Sequence, residues 1–343
     1  MLQTAEAPRP RTEPDRVKIY CQSYRWMLLA RLVEEKLVSL YRGGKIHGGV
    51  FIGKGQEALS VAIGMSLRKG DIFAPLIRDQ AGRLAFGESL LDCTRTYMGS
   101  RLGPMRGRDG NVHRGRPHEG LFPMISHLGA MIPVVSGALL ARRFRGVIDT
   151  VGATSIGEGG TSTGAFHEAL NQAAIEHLPL VVVVANNQYA YSTPNERQFV
   201  CRDLVNRAIG YGIEGHSVDG TDLIACLDVV GRAVAHARSG HGPQLVVASL
   251  LRLCGHGEHD DASYVDPALR ESPIGRDCLR VAEEHLLAES WASADVMQQW
   301  QDQAAHQVEE AVAMTLREAP PDPATEDWCA LATRHLIDSA APE

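Results

Sequence analysis

The chain has 343 residues, 44% of them hydrophobic, enough to bury the core of one large or two small α/β units. A net charge of −7 argues against a nucleic-acid protein, which would carry a basic stripe. Seven scattered cysteines without a Cys-x-x-Cys pair, no membrane-length apolar run and a start unlike a signal peptide lead to the expectation of a reduced, cytoplasmic protein.

Residues 1–14 carry prolines and charges without periodicity, and a mobile lead-in is expected there. Residues 15–343 contain no repeat or linker and are expected to form a single unit with a C-terminal helical arm. From Asp15 to about Tyr41, Met27, Leu28, Leu32, Val33, Leu37 and Leu40 fall at helical spacing, and Gly43-Gly44 ends the helix. Gly48, Gly49, Gly53 and Gly55 mark a loop around Phe51, after which Gln56-Glu57-Ala58 opens a helix with residues that also serve as plain caps. In Asp71 to Gly82, Arg78 stands beside Asp79, and a surface pair is the plain reading. Met105 to His118 is a polar loop whose His113 and His118 lack a third ligand and read as solvent-exposed. Ser126-His127-Leu128-Gly129 then leads into a helix from Pro133 to Phe144, whose Gly137, Ala138 and Ala141 permit close packing, on the sheet or across a subunit interface.

The informative stretch follows. A β-rich lead, Val147 to Ile156, runs into Gly157-Glu158-Gly159-Gly160; the turn Thr161, Ser162, Thr163 opens a helix, and Leu180 to Ala185 leads to Asn186-Asn187-Gln188-Tyr189. Glycines let a ligand approach the backbone, and free N–H groups at a helix start attract anions. Glu158 closes one strand and Asn187 the next, so both open onto one crevice at the carboxyl ends of the sheet. A carboxylate and an amide oxygen there suit magnesium, a hard cation that commonly bridges protein groups to ligand phosphates. A plain glycine turn in a dinucleotide-type unit is the bland alternative.

Val218-Asp219-Gly220-Thr221-Asp222 begins another strand-turn-helix unit reaching Arg238, with turn and cap chemistry accounting for both aspartates, and Gln244 to Leu250 is a third apolar strand. The expected fold is α/β, a doubly wound and mostly parallel sheet with extra N- and C-terminal helices. Arg252 to Tyr264 is a glycine-bearing polar loop; its His256, Glu258, His259, Asp260 and Asp261 admit a metallohydrolase reading, though the histidine spacing is not that of a zinc helix. Helical patterns from Pro273 to about Leu316 and the proline-rich Ala319 to Pro323 close the chain.

Gly157-Glu158-Gly159 with Asn186-Asn187, together with Phe166-His167-Glu168-Ala169-Leu170-Asn171, Leu178-Pro179 and Tyr189-Ala190-Tyr191-Ser192-Thr193-Pro194, resembles the alpha subunit of the thiamine diphosphate-dependent decarboxylating component of 2-oxo acid dehydrogenase complexes. The resemblance runs from about residue 20 to 330 and includes the pyruvate, branched-chain and acetoin types. It implies Glu158 and Asn187 as side-chain magnesium ligands, Tyr189 as a backbone ligand, Gly157 and Gly159 beside the cofactor, and Arg78 on its diphosphate. It further implies Ser126 and Leu128 near the cofactor, and His256 as the catalytic-loop histidine. Phe51 stands near a substrate-facing histidine of pyruvate-using members and would favour a less polar acyl group. Gly129 and Met131 depart from common forms around a structural potassium ion, and Gly257 replaces a serine that mitochondrial members have phosphorylated.

The resemblance implies oxidative decarboxylation of a 2-oxo acid with acyl transfer to a lipoyl carrier. It also implies an obligate beta subunit that supplies the pyrimidine-binding domain, in an α2β2 assembly. A split transketolase-like or carboligase enzyme, moving a two-carbon unit to a carrier protein, stays open because fold does not fix function. A subunit that only binds its partner is the third reading.

Overall fold

The computed structural model describes residues 12–110 and 113–326. Helix α1 (Glu13–Arg42) starts earlier than the composition suggested: Pro14 sits in the first turn, where its missing N–H is not needed, and Glu13 and Asp15 complement the positive helix start. Glu13 and Pro14 thus belong to the helix rather than to the lead-in expected over 1–14, and residues 1–11 of that expectation lie outside the described residues. Then come α2 (Glu57–Ser66), β1 (Ile72–Ala74), α3 (Gln80–Phe86), α4 (Leu90–Tyr97), α5 (Met131–Phe144) and β2 (Gly152–Gly157). They are followed by α6 (Gly164–Ile175), β3 (Leu180–Asn186), the two-residue strands β4 (Tyr189–Ala190) and β5 (Thr193–Pro194), α7 (Arg207–Tyr211) and β6 (Glu214–Asp219). Next are α8 (Leu223–Arg238), β7 (Gln244–Ser249), α9 (Pro267–Glu271), α10 (Cys278–Ala288) and α11 (Ala294–Leu316). Among the described residues no helix is long and apolar enough to cross a membrane.

Five strands form one parallel sheet in the order β1-β2-β3-β7-β6, and β4 and β5 make a separate small hairpin. In β3 the side chains alternate: Val182 and Val184 pack with Ile132 and Leu139 of α5 and Phe166 and Leu170 of α6, while Val181 and Val183 pack with Met27, Leu59 and Val230 on the other face. Both faces are therefore covered, which is why β3 reads as an unbroken valine run rather than an alternation.

The chain leaving β3 folds toward the α6 side, where Leu204 and Ala208 join its core; the chain leaving β7 turns to the opposite layer, where Cys278 and Ala282 of α10 are buried. Divergent exits from neighbouring parallel strands open a crevice at their carboxyl ends. In α5, Val135 and Leu139 are fully buried on the sheet. Gly137 faces away from it, and a Cβ there would meet nothing within 4 Å. Gly137 and Ala141 thus lie on the outer face of that helix, whereas Ala138 packs against the core on the sheet side.

Candidate active site

The crevice is built from two strand ends and one loop. β2 ends at Gly157 and makes a tight 3-10 turn over Glu158–Ser162 before α6. The hydroxyl-rich sequence explains the turn, since Thr161 Oγ1 donates to the Glu158 carbonyl (2.5 Å) and Thr163 Oγ1 to the Gly160 carbonyl (2.8 Å). A Cβ on Gly159 would stand 2.5 Å from the Ala190 Cβ, so glycine there lets β4 close on the turn; Gly157 faces open space.

The register that pairs Gly157 with Ala185 brings the next residues of both strands level. Glu158 is 1% exposed, and its Oε2 accepts the Asn187 backbone N–H (3.1 Å). Burial raises its pKa, opposed by amide donors from Asn187 and Gln198 and by Arg252. Asn187 Oδ1 accepts the Tyr189 N–H (3.3 Å), and the Tyr189 carbonyl accepts from Arg252 Nη1 (3.2 Å). The structure thus brings together Glu158, Asn187 and the Tyr189 carbonyl.

Arg78 is buried and does not pair with Asp79. Its Nη1 donates to the Ile52 carbonyl (2.8 Å) and its Nη2 to the His256 carbonyl (2.6 Å), tying two distant loops together. Asp79 instead accepts the Leu76 N–H (2.7 Å) and the Ser155 hydroxyl. His256 packs its ring edge-on against Phe51 (centroids 5.5 Å apart) and at a tilt against Tyr191 (4.5 Å). Burial, then the Arg78 and Arg252 guanidinium groups, push its pKa down to about 4, with Asp260 opposing. At neutral pH the ring is uncharged and offers a hydrogen bond rather than a charge.

Ser126 and Leu128 are exposed on the turn before α5. His113 is not the free loop histidine expected: Nδ1 bonds Asp109 (2.7 Å) and Nε2 bonds the Ser126 hydroxyl (2.7 Å), which fastens the polar loop to that turn. Asn111 and Val112 lie outside the described residues. Asp219 and Asp222 are structural, as their sequence context suggests; Asp219 accepts from Thr221 and Asp222 caps α8 through the Ala225 N–H (3.0 Å). Among the described residues no set of three or more His, Cys, Asp or Glu could hold a metal, so the metallohydrolase reading of the 256–261 loop has no ligand set.

The donor set fits a cation that carries phosphate. Oxygen acceptors gather at these strand ends: the Glu158 carboxylate, the Asn187 amide oxygen and the Tyr189 carbonyl, each with a donor, and the buried Gln198 Oε1, which has none. A hard cation suits such oxygens, and on the loop side stands the buried Arg78 guanidinium, each of whose Nη atoms already donates to one main-chain carbonyl.

Three residues that shape the crevice escape a reading by motif. Arg252 links Tyr189 to the 252–264 loop by donating also to the carbonyls of Tyr191 (2.9 Å) and Cys254 (3.1 Å). Glu34 of α1 accepts the Gly53 N–H with both oxygens (3.0 and 2.9 Å). Gln198 reaches Glu158 from beyond the hairpin. Only Arg252, a charge directly after a buried strand, carries a signal in the sequence.

A family model described as "Dehydrogenase E1 component" matches residues 24–324. The alpha subunit of acetoin:2,6-dichlorophenolindophenol oxidoreductase from Cupriavidus necator is 34% identical over 259 residues, 75% of this chain and 78% of its own length. The alpha subunit of 2-oxoisovalerate dehydrogenase from Bacillus subtilis is 33% identical over 259 residues, covering 73% and 78%. The pyruvate dehydrogenase E1 component alpha subunit of Rhizobium meliloti is 30% identical over 279 residues, covering 81% and 80%.

Proposed function

This chain belongs to the dehydrogenase E1 component family, and from that premise we propose that it is the alpha subunit of a thiamine diphosphate-dependent 2-oxo acid dehydrogenase, active only with a beta partner. The reaction is oxidative decarboxylation of a 2-oxo acid with acyl transfer to a lipoyl carrier. The meeting of Glu158 and Asn187 across adjoining strand ends carries this reading. Glu158, Asn187 and the Tyr189 carbonyl would hold Mg2+, and Arg78 would take the diphosphate through the N–H groups it does not spend on the Ile52 and His256 carbonyls. Thiamine diphosphate would supply the electron sink needed to cleave the bond between the 2-oxo carbon and its carboxylate. Neutral His256 faces the reacting side with Phe51, whose apolar ring favours an acyl group without a polar tail.

The turn at Ser126 and Leu128 leads to the outward face of α5, where Val134 is 44% and Phe144 84% exposed beside the bare Gly137, with Ile148 81% exposed just beyond. We assign this face to the beta subunit in an α2β2 assembly. The six described cysteines are all free, which supports a reducing, cytoplasmic setting. The deciding experiment co-expresses the chain with its beta partner and measures carbon dioxide release from pyruvate and from branched 2-oxo acids. The same complex is assayed for dye reduction with acetoin and for ketol transfer from sugar phosphates. Ketol transfer without decarboxylation would replace this reading with the transketolase-like one.

A further inference from the structure

Gln198 lies just after the hairpin, where sequence and family resemblance assign it nothing. Its backbone is pinned on two sides: its N–H donates to the Asn195 carbonyl (2.9 Å), and its carbonyl accepts from Ser162 Oγ (3.1 Å) in the glycine turn. Its amide Nε2 donates to the Thr193 carbonyl (2.8 Å) and reaches Glu158 Oε1 at 3.4 Å. Both neighbours are acceptors, so this amide orientation is forced; the flipped one would set oxygen against oxygen. Oε1 is then left shut away from solvent with no donor, 3.0 Å from where a Cβ on Gly159 would stand. A buried amide oxygen without a donor is costly, and the amide nitrogen of this group reaches a buried carboxylate. It lacks only a donor, and a divalent cation brings donors with it. Magnesium keeps several of its waters, and groups that orient its ligands govern how tightly it is held.

We propose that Gln198 is a positioning residue of the cation site: its amide N–H group steers the Glu158 carboxylate, and its buried carbonyl oxygen accepts a hydrogen bond from water carried by the bound cation. The inference rests on the cation site proposed above and adds the turn after the hairpin to it. Gln198 touches neither substrate nor reacting atoms; it acts through Glu158 and the cation's water.

The test uses the assembled alpha–beta complex. Thiamine diphosphate binding is followed by calorimetry across a Mg2+ titration, and the melting temperature is recorded with and without cofactor and metal. Gln198→Met keeps the length of the side chain and removes both polar atoms; Glu158→Gln is the reference for the site itself. The expected result for Gln198→Met is a Mg2+ requirement raised roughly 10–100-fold, with the melting temperature of the cofactor-free complex unchanged. Wild-type Mg2+ dependence in Gln198→Met, alongside its loss in Glu158→Gln, overturns the Gln198 inference alone. Wild-type dependence in Glu158→Gln overturns the cation site and this inference with it. A fall in the cofactor-free melting temperature of Gln198→Met means a packing role and also overturns the proposal.

Discussion

The two sides of the crevice are made in different ways. The strand side, Gly157 to Asn187, is set by the register of β2 against β3 and by a turn whose own hydroxyls close it. The loop side, with Phe51, Arg78 and His256, has no ladder; it is held by buried side chains that reach main-chain groups far away in sequence, Glu34 on Gly53 and Arg78 on Ile52 and His256. A sheet fixes what it carries through many repeated bonds, whereas a loop held by two or three charged side chains depends on each of them. Substitutions on the strand side should therefore remove ligand binding and spare the fold, while those on the loop side should change both.

The largest effect is expected on the strand side. Glu158→Ala should weaken Mg2+-dependent cofactor binding at least about 100-fold, more than the loss of a group that merely orients a ligand. Stability without cofactor should hold or rise, because a buried carboxylate is removed. Calorimetric titration and a melting curve on one sample check both halves, and a large drop in melting temperature would erase the contrast between the two sides. Arg78→Met comes next. It leaves two carbonyls without their charged donor, a cost of roughly 1.5–3 kcal/mol for each such bond, so both the melting temperature and diphosphate affinity should fall together. A smaller effect is expected for Gly53→Ala, whose new Cβ would run into the Arg78 carbonyl. Overpacking of this kind costs about 1–3 kcal/mol, and it should appear as a shift in cofactor affinity if Gly53 serves the Arg78 tether.

The same division decides what the sequence makes legible. The strand side is local: glycines at 157, 159 and 160, the hydroxyls that follow and an unbroken valine run can be read within a few turns of chain, and Glu158 and Asn187 follow directly on two neighbouring strands. The loop side is not local. Glu34 sits on a helix whose periodic residues draw attention elsewhere, yet it is 4% exposed and clamps a glycine loop beyond the helix end. Burial and the neighbouring Glu57 raise its pKa to about 8, an environment no spacing rule encodes. Arg78 stands next to Asp79, and adjacency suggests a pair; the backbone sends the two side chains apart, Asp79 to Ser155 and Arg78 across the crevice. The outward turn of Gly137 is likewise invisible in composition, because small residues suit a sheet contact and a subunit contact alike.

The smallest expected effect is a pH response, and it belongs wholly to the loop side. His256 titrates at about 4 in the fold, below the ordinary histidine range, because its ring is partly buried beside Arg78 and Arg252. The unfolded chain then binds a proton that the folded one refuses between about 6.5 and that value. Stability from this group is fully present above about 6.5 and is lost as pH falls through the folded value. Thermal melting from pH 7 to 4.5 should therefore slope downward for the wild type and less steeply for His256→Asn, which has no charge to gain. Turnover should keep no inflection near pH 6.5 assignable to this ring. If the slope is the same in both proteins, the positive surroundings of the histidine do not govern its charge, and the neutral ring drawn here facing Phe51 and Tyr191 would have to be redrawn as an imidazolium. An identical slope would also weaken the claim that Arg78 and Arg252 together set the character of the loop side, since both act on His256 through the same field.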